Sequence, residues 1–139
     1  MRYLLDTNVI SEFRKAQPNE AVLEWLNQVE PETIYLSVIT IGELQKGIER
    51  LEDGARKASL QSWLANDLPA RFAGRIVVLD SDVLRTWGTL LARLERIGKM
   101  MPAIDALIAA AALHGGFTLV TRNAADFAHS GVKVYNPWR

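Results

Sequence analysis

Tyr3-Leu4-Leu5-Asp6-Thr7-Asn8 joins an apolar run of strand length to a polar trio suited to starting a helix. The same alternation continues along the chain. A short helix through Phe13 ends in a break at Gln17-Pro18-Asn19. An amphipathic helix from Glu20 then carries Val22, Leu23, Trp25, Leu26 and Val29 until Pro31 closes it. Thr33-Ile34-Tyr35-Leu36, β-branched and aromatic, predicts a second strand. Ser37 caps a helix over Val38–Leu51, with Ile41, Leu44, Ile48 and Leu51 on one stripe. Gly54 precedes a further helix through Leu60, Trp63 and Leu64 towards Leu68-Pro69. The continuous apolar run Ile76-Val77-Val78-Leu79 predicts a third strand covered on both faces. Ser81 or Asp82 caps a long helix whose Val83, Leu84, Trp87, Leu90, Leu91 and Leu94 face inward, and Gly98 ends it. Pro102 opens a helix continued by Ile104 to Leu113 and stopped by Gly115-Gly116. Phe117–Thr121 is a fourth strand, Asn123–Phe127 a short turn or helix, and Val132–Tyr135 a last strand. Strands separated by helices predict an α/β fold with a mostly parallel sheet of about five strands. In such open sheets a ligand site lies beyond the carboxyl ends of the strands.

Composition narrows the chemistry. The 139 residues suit one domain, and 16 Lys+Arg against 16 Asp+Glu remove a bulk electrostatic grip on nucleic acid. Cysteine is absent, which excludes disulfides, thiolate zinc sites and cysteine nucleophiles. With only His114 and His129, a histidine-rich metal cage is excluded as well. Asp6 arrives too early for a signal peptide, and Ala106 to Leu113 is far short of the roughly 20 apolar residues of a membrane span. The expectation is a cytoplasmic protein with no membrane partner.

Most acids sit among other charges and read as solvated helix faces. Asp6, Glu43, Asp105 and Asp126 instead lie among apolar or small neighbours. Their expected places converge on the carboxyl edge of the sheet: after the first strand, early in the helix after the second, near the start of the Pro102 helix, and just after the fourth strand. Singly, each has a structural explanation as a cap, a dipole partner or a turn residue. Jointly, two carboxylates about 5 Å apart repel by roughly 3 kcal/mol at an effective dielectric near 20. A cluster of four therefore calls for protons or a cation, and an all-oxygen set suits Mg²⁺ or Mn²⁺.

Four motifs in this order, Leu4-Leu5-Asp6-Thr7-Asn8, Ser37-x-x-Thr40-x-Gly42-Glu43-Leu44, Asp105-Ala106-Leu107-Ile108-Ala109-Ala110 and Thr121-Arg122-Asn123-x-x-Asp126-Phe127, resemble those of PIN-domain ribonucleases. The resemblance is nearest to VapC/FitB-type toxins of bacterial toxin–antitoxin pairs. It implies a single three-layer α/β/α PIN-like domain over 1–139. It also implies a Mg²⁺- or Mn²⁺-dependent endoribonuclease that leaves 5′-phosphate and 3′-hydroxyl ends. On that resemblance Asp6, Glu43, Asp105 and Asp126 bind metal and position the attacking water, Asp6 and Asp105 by direct contact. Asn8, Thr121 and Asn123 match the polar positions around them, Thr121 orienting a carboxylate or water and Asn123 holding the loop of Asp126. The implied partners are RNA, a second copy of the chain and a small cognate antitoxin whose segment crosses the toxin and sets a basic side chain near the acids. The stretches Val38–Leu51 and Leu60–Leu68 offer an apolar groove for that segment or, equally, core packing. Lys46, Arg122, Arg14 and Lys15 flank the quartet as phosphate contacts or, equally, solvated surface, while Trp25, Trp63 and Trp87 read as core or interface and His114 as a helix-capping or surface residue.

Two other classes stay open. Asp6 after a first strand also suits a Mg²⁺-dependent phosphatase or phosphotransfer fold, although Asn8 stands where the haloacid-dehalogenase type has its second Asp. The other is a PIN-like module that binds RNA or protein without cleaving.

Overall fold

The computed structural model describes Met1–Arg139. Five strands, β1 (Tyr3–Leu5), β2 (Ile34–Ser37), β3 (Ile76–Val77), β4 (Thr118–Val120) and β5 (Val134–Tyr135), form one sheet in the order β3-β2-β1-β4-β5. Every neighbouring pair is parallel, with Tyr3 opposite both Ile34 and Thr118. The connections supply the helices: α1 (Thr7–Glu12), α2 (Glu20–Gln28), α3 (Val38–Glu49), α4 (Ala55–Ser62), α5 (Leu68–Arg71), α6 (Ser81–Arg96) and α7 (Ala103–Gly115).

Side chains alternate across a strand, and this separates two cores. Leu5 and Val120 turn to one face, where Val9, Ile10, Val22, Leu44, Ile48, Leu64 and Phe72 pack on them. Leu4 and Leu119 turn to the other, against Val83, Leu90, Leu94, Ile108 and Phe127. The three-layer α/β/α architecture follows. On α7, Ala106 and Ala109 to Ala112 are all buried, as expected of a helix apolar on every side. Their short side chains let α7 pack closely on α6, and Gly116 closes the helix at φ +69° in the left-handed region.

Several elements differ from expectation. β3 has two residues rather than four, and Val78 is 60% exposed, because β3 is an edge strand with a neighbour on one side only. The cap of α6 is Asp80, whose side chain accepts the Val83 N–H at 3.0 Å, and not Ser81 or Asp82. Leu84 is exposed rather than inward-facing. Thr33 belongs to a 3₁₀ turn, Pro31–Thr33, so β2 starts one residue late; α3 stops at Glu49, short of Leu51. A π-helical turn, Trp63–Asp67, separates α4 from α5 within the segment read as one helix. No helix is long and apolar enough to cross a membrane.

Candidate active site

Where β1 ends, the chain must leave the sheet, and Asp6 makes that turn. Its N–H still donates to Val120 on β4 at 2.9 Å, while its side chain caps α1 by accepting the Thr7 N–H at 2.8 Å. The second carboxylate oxygen accepts the Thr121 hydroxyl at 2.8 Å, and Thr121 is fully buried just past β4. Asp6 is only 7% exposed. Burial pushes its carboxyl above the ordinary 3.8; the Thr121 and Thr7 bonds oppose this, and the charges of Glu43 and Asp126 add to it.

The other acids approach from separate elements. Glu43, in the second turn of α3, accepts the Thr7 hydroxyl at 2.5 Å, and the Thr40 hydroxyl lies 3.2 Å from that of Thr7. Asp105 stands in the first turn of α7, its carboxyl raised first by burial and then by the charges of Asp6, Asp126 and Glu43. Asp6, Glu43 and Asp105 line one cavity of about 360 Å³ together with Asn8 and Asn123. Asp126 does not line it. That residue sits exposed on the 3₁₀ turn Ala124–Phe127, within electrostatic reach of Asp6 and Asp105. Asn8 ties the loop after β4 to α1, donating to the Thr121 hydroxyl at 3.3 Å and accepting the Arg122 N–H at 3.3 Å. Asn123 acts through its backbone, giving its N–H to the Thr121 hydroxyl at 3.1 Å and accepting the Asp126 N–H on its carbonyl at 3.0 Å.

The PIN domain profile matches residues 3–132. The chain belongs to the PIN domain family. Among relatives of this PIN domain, the plasmid stability protein StbB of Pseudomonas syringae pv. tomato is 42% identical over 135 residues, 97% of each chain. Toxin FitB of Neisseria gonorrhoeae is 40% identical over 97% of each chain, and a VapC ribonuclease of Sinorhizobium fredii 39% over 97% and 96%. Solved structures agree. FitAcB from N. gonorrhoeae superposes with a TM-score of 0.93 at 39% identity over 99% of both chains. VapBC2 from Rickettsia felis, bound to a promoter DNA fragment, gives 0.82 at 26% over the full length of both.

Whether the PIN site suits a divalent ion can be judged from its donors. Carboxylates, hydroxyls and amides face the cavity with no sulfur or imidazole, and two of the carboxyls are pushed towards protonation, first by burial and then by the neighbouring acids. A hard cation fits that set in kind. As placed, no three acidic side chains converge into a group that would hold an ion.

Four residues on the cavity wall, Thr7, Ser11, Glu12 and Trp138, escaped the sequence reading as site residues. Thr7 bonds Glu43; Glu12 is 2% exposed; Trp138 is the one apolar residue among the lining side chains. Burial raises the Glu12 carboxyl, but the Asn19 N–H at 2.8 Å and the Lys15 ammonium at 3.0 Å outweigh it, and the net shift is downward. The signal for Glu12 was its place on one stripe of α1 with Asn8 and Ser11, which line the cavity as Lys15 just beyond the helix does. Of the flanking bases, Lys15 and Arg122 reach this cavity; Arg14 stacks over Trp63 and Lys46 lines a neighbouring hollow. His114 lies in the last turn of α7, at the opposite end of that helix from Asp105.

Proposed function

We propose that this PIN domain is a Mg²⁺- or Mn²⁺-dependent endoribonuclease acting in the cytoplasm as the toxin of a toxin–antitoxin pair. One observation carries the reading: buried Asp6 shares a polar cavity with Glu43 and Asp105, and burial and the neighbouring charges raise the Asp6 and Asp105 carboxyls. The names of the relatives, a VapC ribonuclease and toxin FitB, support it.

Asp6, Asp105 and Glu43 would hold the ion, with Asp126 reaching it through water, and the ion would supply Lewis acidity and lower the pKa of water. The chain's own residues set the geometry. The Thr7 amide and Thr121 hydroxyl fix both oxygens of Asp6, so this carboxylate cannot rotate freely. Glu43 is held through Oε1 by Thr7, which leaves Oε2 to orient water in line with the scissile phosphate. Asn8 and the Asn123 backbone keep Thr121 and the Asp126 turn in register with α1.

For the antitoxin we assign the apolar groove of about 260 Å³ beside the acids, lined by Leu44, Ile48, Leu51, Leu60 and Trp63. A second copy of the chain is assigned to the exposed apolar side chains Leu84, Ile97, Met100 and Ile104 on α6, α7 and their connection. The test is RNA cleavage by purified protein with Mg²⁺ or Mn²⁺ and with EDTA, alongside Asp6→Asn and Asp105→Asn. Activity should vanish with EDTA and in both variants; cleavage that survives in them refutes the site.

A further inference from the structure

The cavity that holds the acids is polar except at one point, Trp138. This indole is packed against the first core, so its position is set by the fold. The segment carrying it is pinned on both sides. The Trp138 N–H donates to Asn136 at 2.9 Å, the Asn136 amide donates to the Arg122 carbonyl at 3.4 Å, and Asn19 donates to the Arg139 carbonyl at 3.3 Å. Arg122 lies over the ring at 5.8 Å, near the outer limit of about 6 Å for a cation–π contact, so a stronger anion can draw it away.

Two cations line this cavity, and they differ. Lys15 is bonded to buried Glu12, whereas Arg122 forms no salt bridge and only its longer-range charge reaches Glu12. Arg122 is also keyed to the acids. Its N–H is held by Asn8, which bonds Thr121, which bonds Asp6. A rigid aromatic face and a guanidinium outside any salt bridge thus stand on the wall that carries the carboxylates. Single-stranded nucleic acid is gripped by this pairing of a stacking platform with a backbone cation.

We propose that Trp138 and Arg122 form a nucleotide subsite of the cavity, Trp138 stacking one base of single-stranded RNA and Arg122 pairing with a neighbouring phosphate. The inference rests on the reading of the cavity as an RNA-cleaving site. It makes the enzyme prefer unpaired RNA, because a base inside a duplex has no free face to stack.

The test is binding of a labelled single-stranded oligoribonucleotide of about ten nucleotides in EDTA, followed by anisotropy. Trp138→Phe keeps a stacking face and should bind like wild type. Trp138→Leu keeps apolar packing without that face and should bind about ten-fold more weakly. Arg122→Gln, at an exposed side chain, guards against misfolding of the leucine variant; it should weaken binding and lower the salt slope by about 0.7. RNA should quench tryptophan fluorescence equally in wild type and Trp87→Phe, and a duplex of the same sequence should compete poorly. Equal binding by wild type, Trp138→Leu and Arg122→Gln overturns the subsite and leaves the cleavage reading standing. Wild-type protein that neither binds this RNA in EDTA nor cleaves it with Mn²⁺ overturns both.

Discussion

Replacing Thr121 with valine tests how Asp6 is held. Valine keeps the shape of the side chain and removes only the hydroxyl at a fully buried position. Three bonds go with it: to the Asp6 carboxylate at 2.8 Å, from the Asn8 amide at 3.3 Å and from the Asn123 N–H at 3.1 Å. A bond to a charged group contributes about 1.5–3 kcal/mol and a neutral one about 0.5–1.5. The sum is roughly 2.5–6 kcal/mol, and the two longer contacts place the expectation near its lower end, about 3 kcal/mol. A domain with a stability of about 5–15 kcal/mol remains folded after such a loss. The pH dependence separates this cause from simple damage. A raised Asp6 pKa means that stability is fullest below the ordinary 3.8 and is lost as pH rises through the raised value. The Thr121 bond favours the charged carboxylate, so its removal pushes Asp6 up further. The valine deficit should therefore be smaller below pH 3.8 and widen towards neutrality. Urea unfolding in EDTA across that pH range, with Thr121→Ser as the hydroxyl-retaining control, measures it. A deficit that ignores pH, or serine faring no better than valine, refutes the reasoning.

Asp105→Asn removes a charge that repels Asp6, Asp126 and Glu43, so the metal-free thermal midpoint at neutral pH should rise by about 3 °C for about 1 kcal/mol. A lower midpoint counts against crowding among these acids. Mn²⁺ at about 100 times its Kd should add about 2.7 kcal/mol to the wild type and little to Asp6→Asn. Equal gains in a calorimetric scan would detach the metal from Asp6. Asp80→Ala should cost about 1 kcal/mol in urea unfolding and Ser81→Ala almost nothing, since Asp80 accepts the Val83 N–H. The reverse order would move the cap.

The parallel sheet and the placing of Asp6, Glu43 and Asp105 on one cavity were legible because both follow from local signals. An acid directly after an apolar strand, or early in the next helix, has to project from the carboxyl edge. What escaped depended on partners distant in sequence. Ile76-Val77-Val78-Leu79 is as apolar as a central strand, and only the strand order reveals an edge. Asp80, Ser81 and Asp82 are all competent caps, so local chemistry could not choose among them. Glu12 sits beside Arg14-Lys15 and reads as a solvated helix end, yet it is buried and accepts the Asn19 N–H across the next turn. Trp138 has no periodic neighbours to place it. Asp126, an acid among small residues, gave the same signal as the other three, yet its turn leaves it exposed beside the cavity.

The bond between Asp6 and Thr121 spans 115 positions, and β1 meets β4 across the same interval. At about 5–20 residues per second, a ribosome needs on the order of ten seconds to make the second partner after the first. Through that delay a nascent chain can already pair β1 with β2, yet Asp105 and the hydroxyl that steadies Asp6 have still to emerge. The molecule's timetable of synthesis is thus a safeguard in itself: the proposed cutting site stays dismantled until Thr121 has been made.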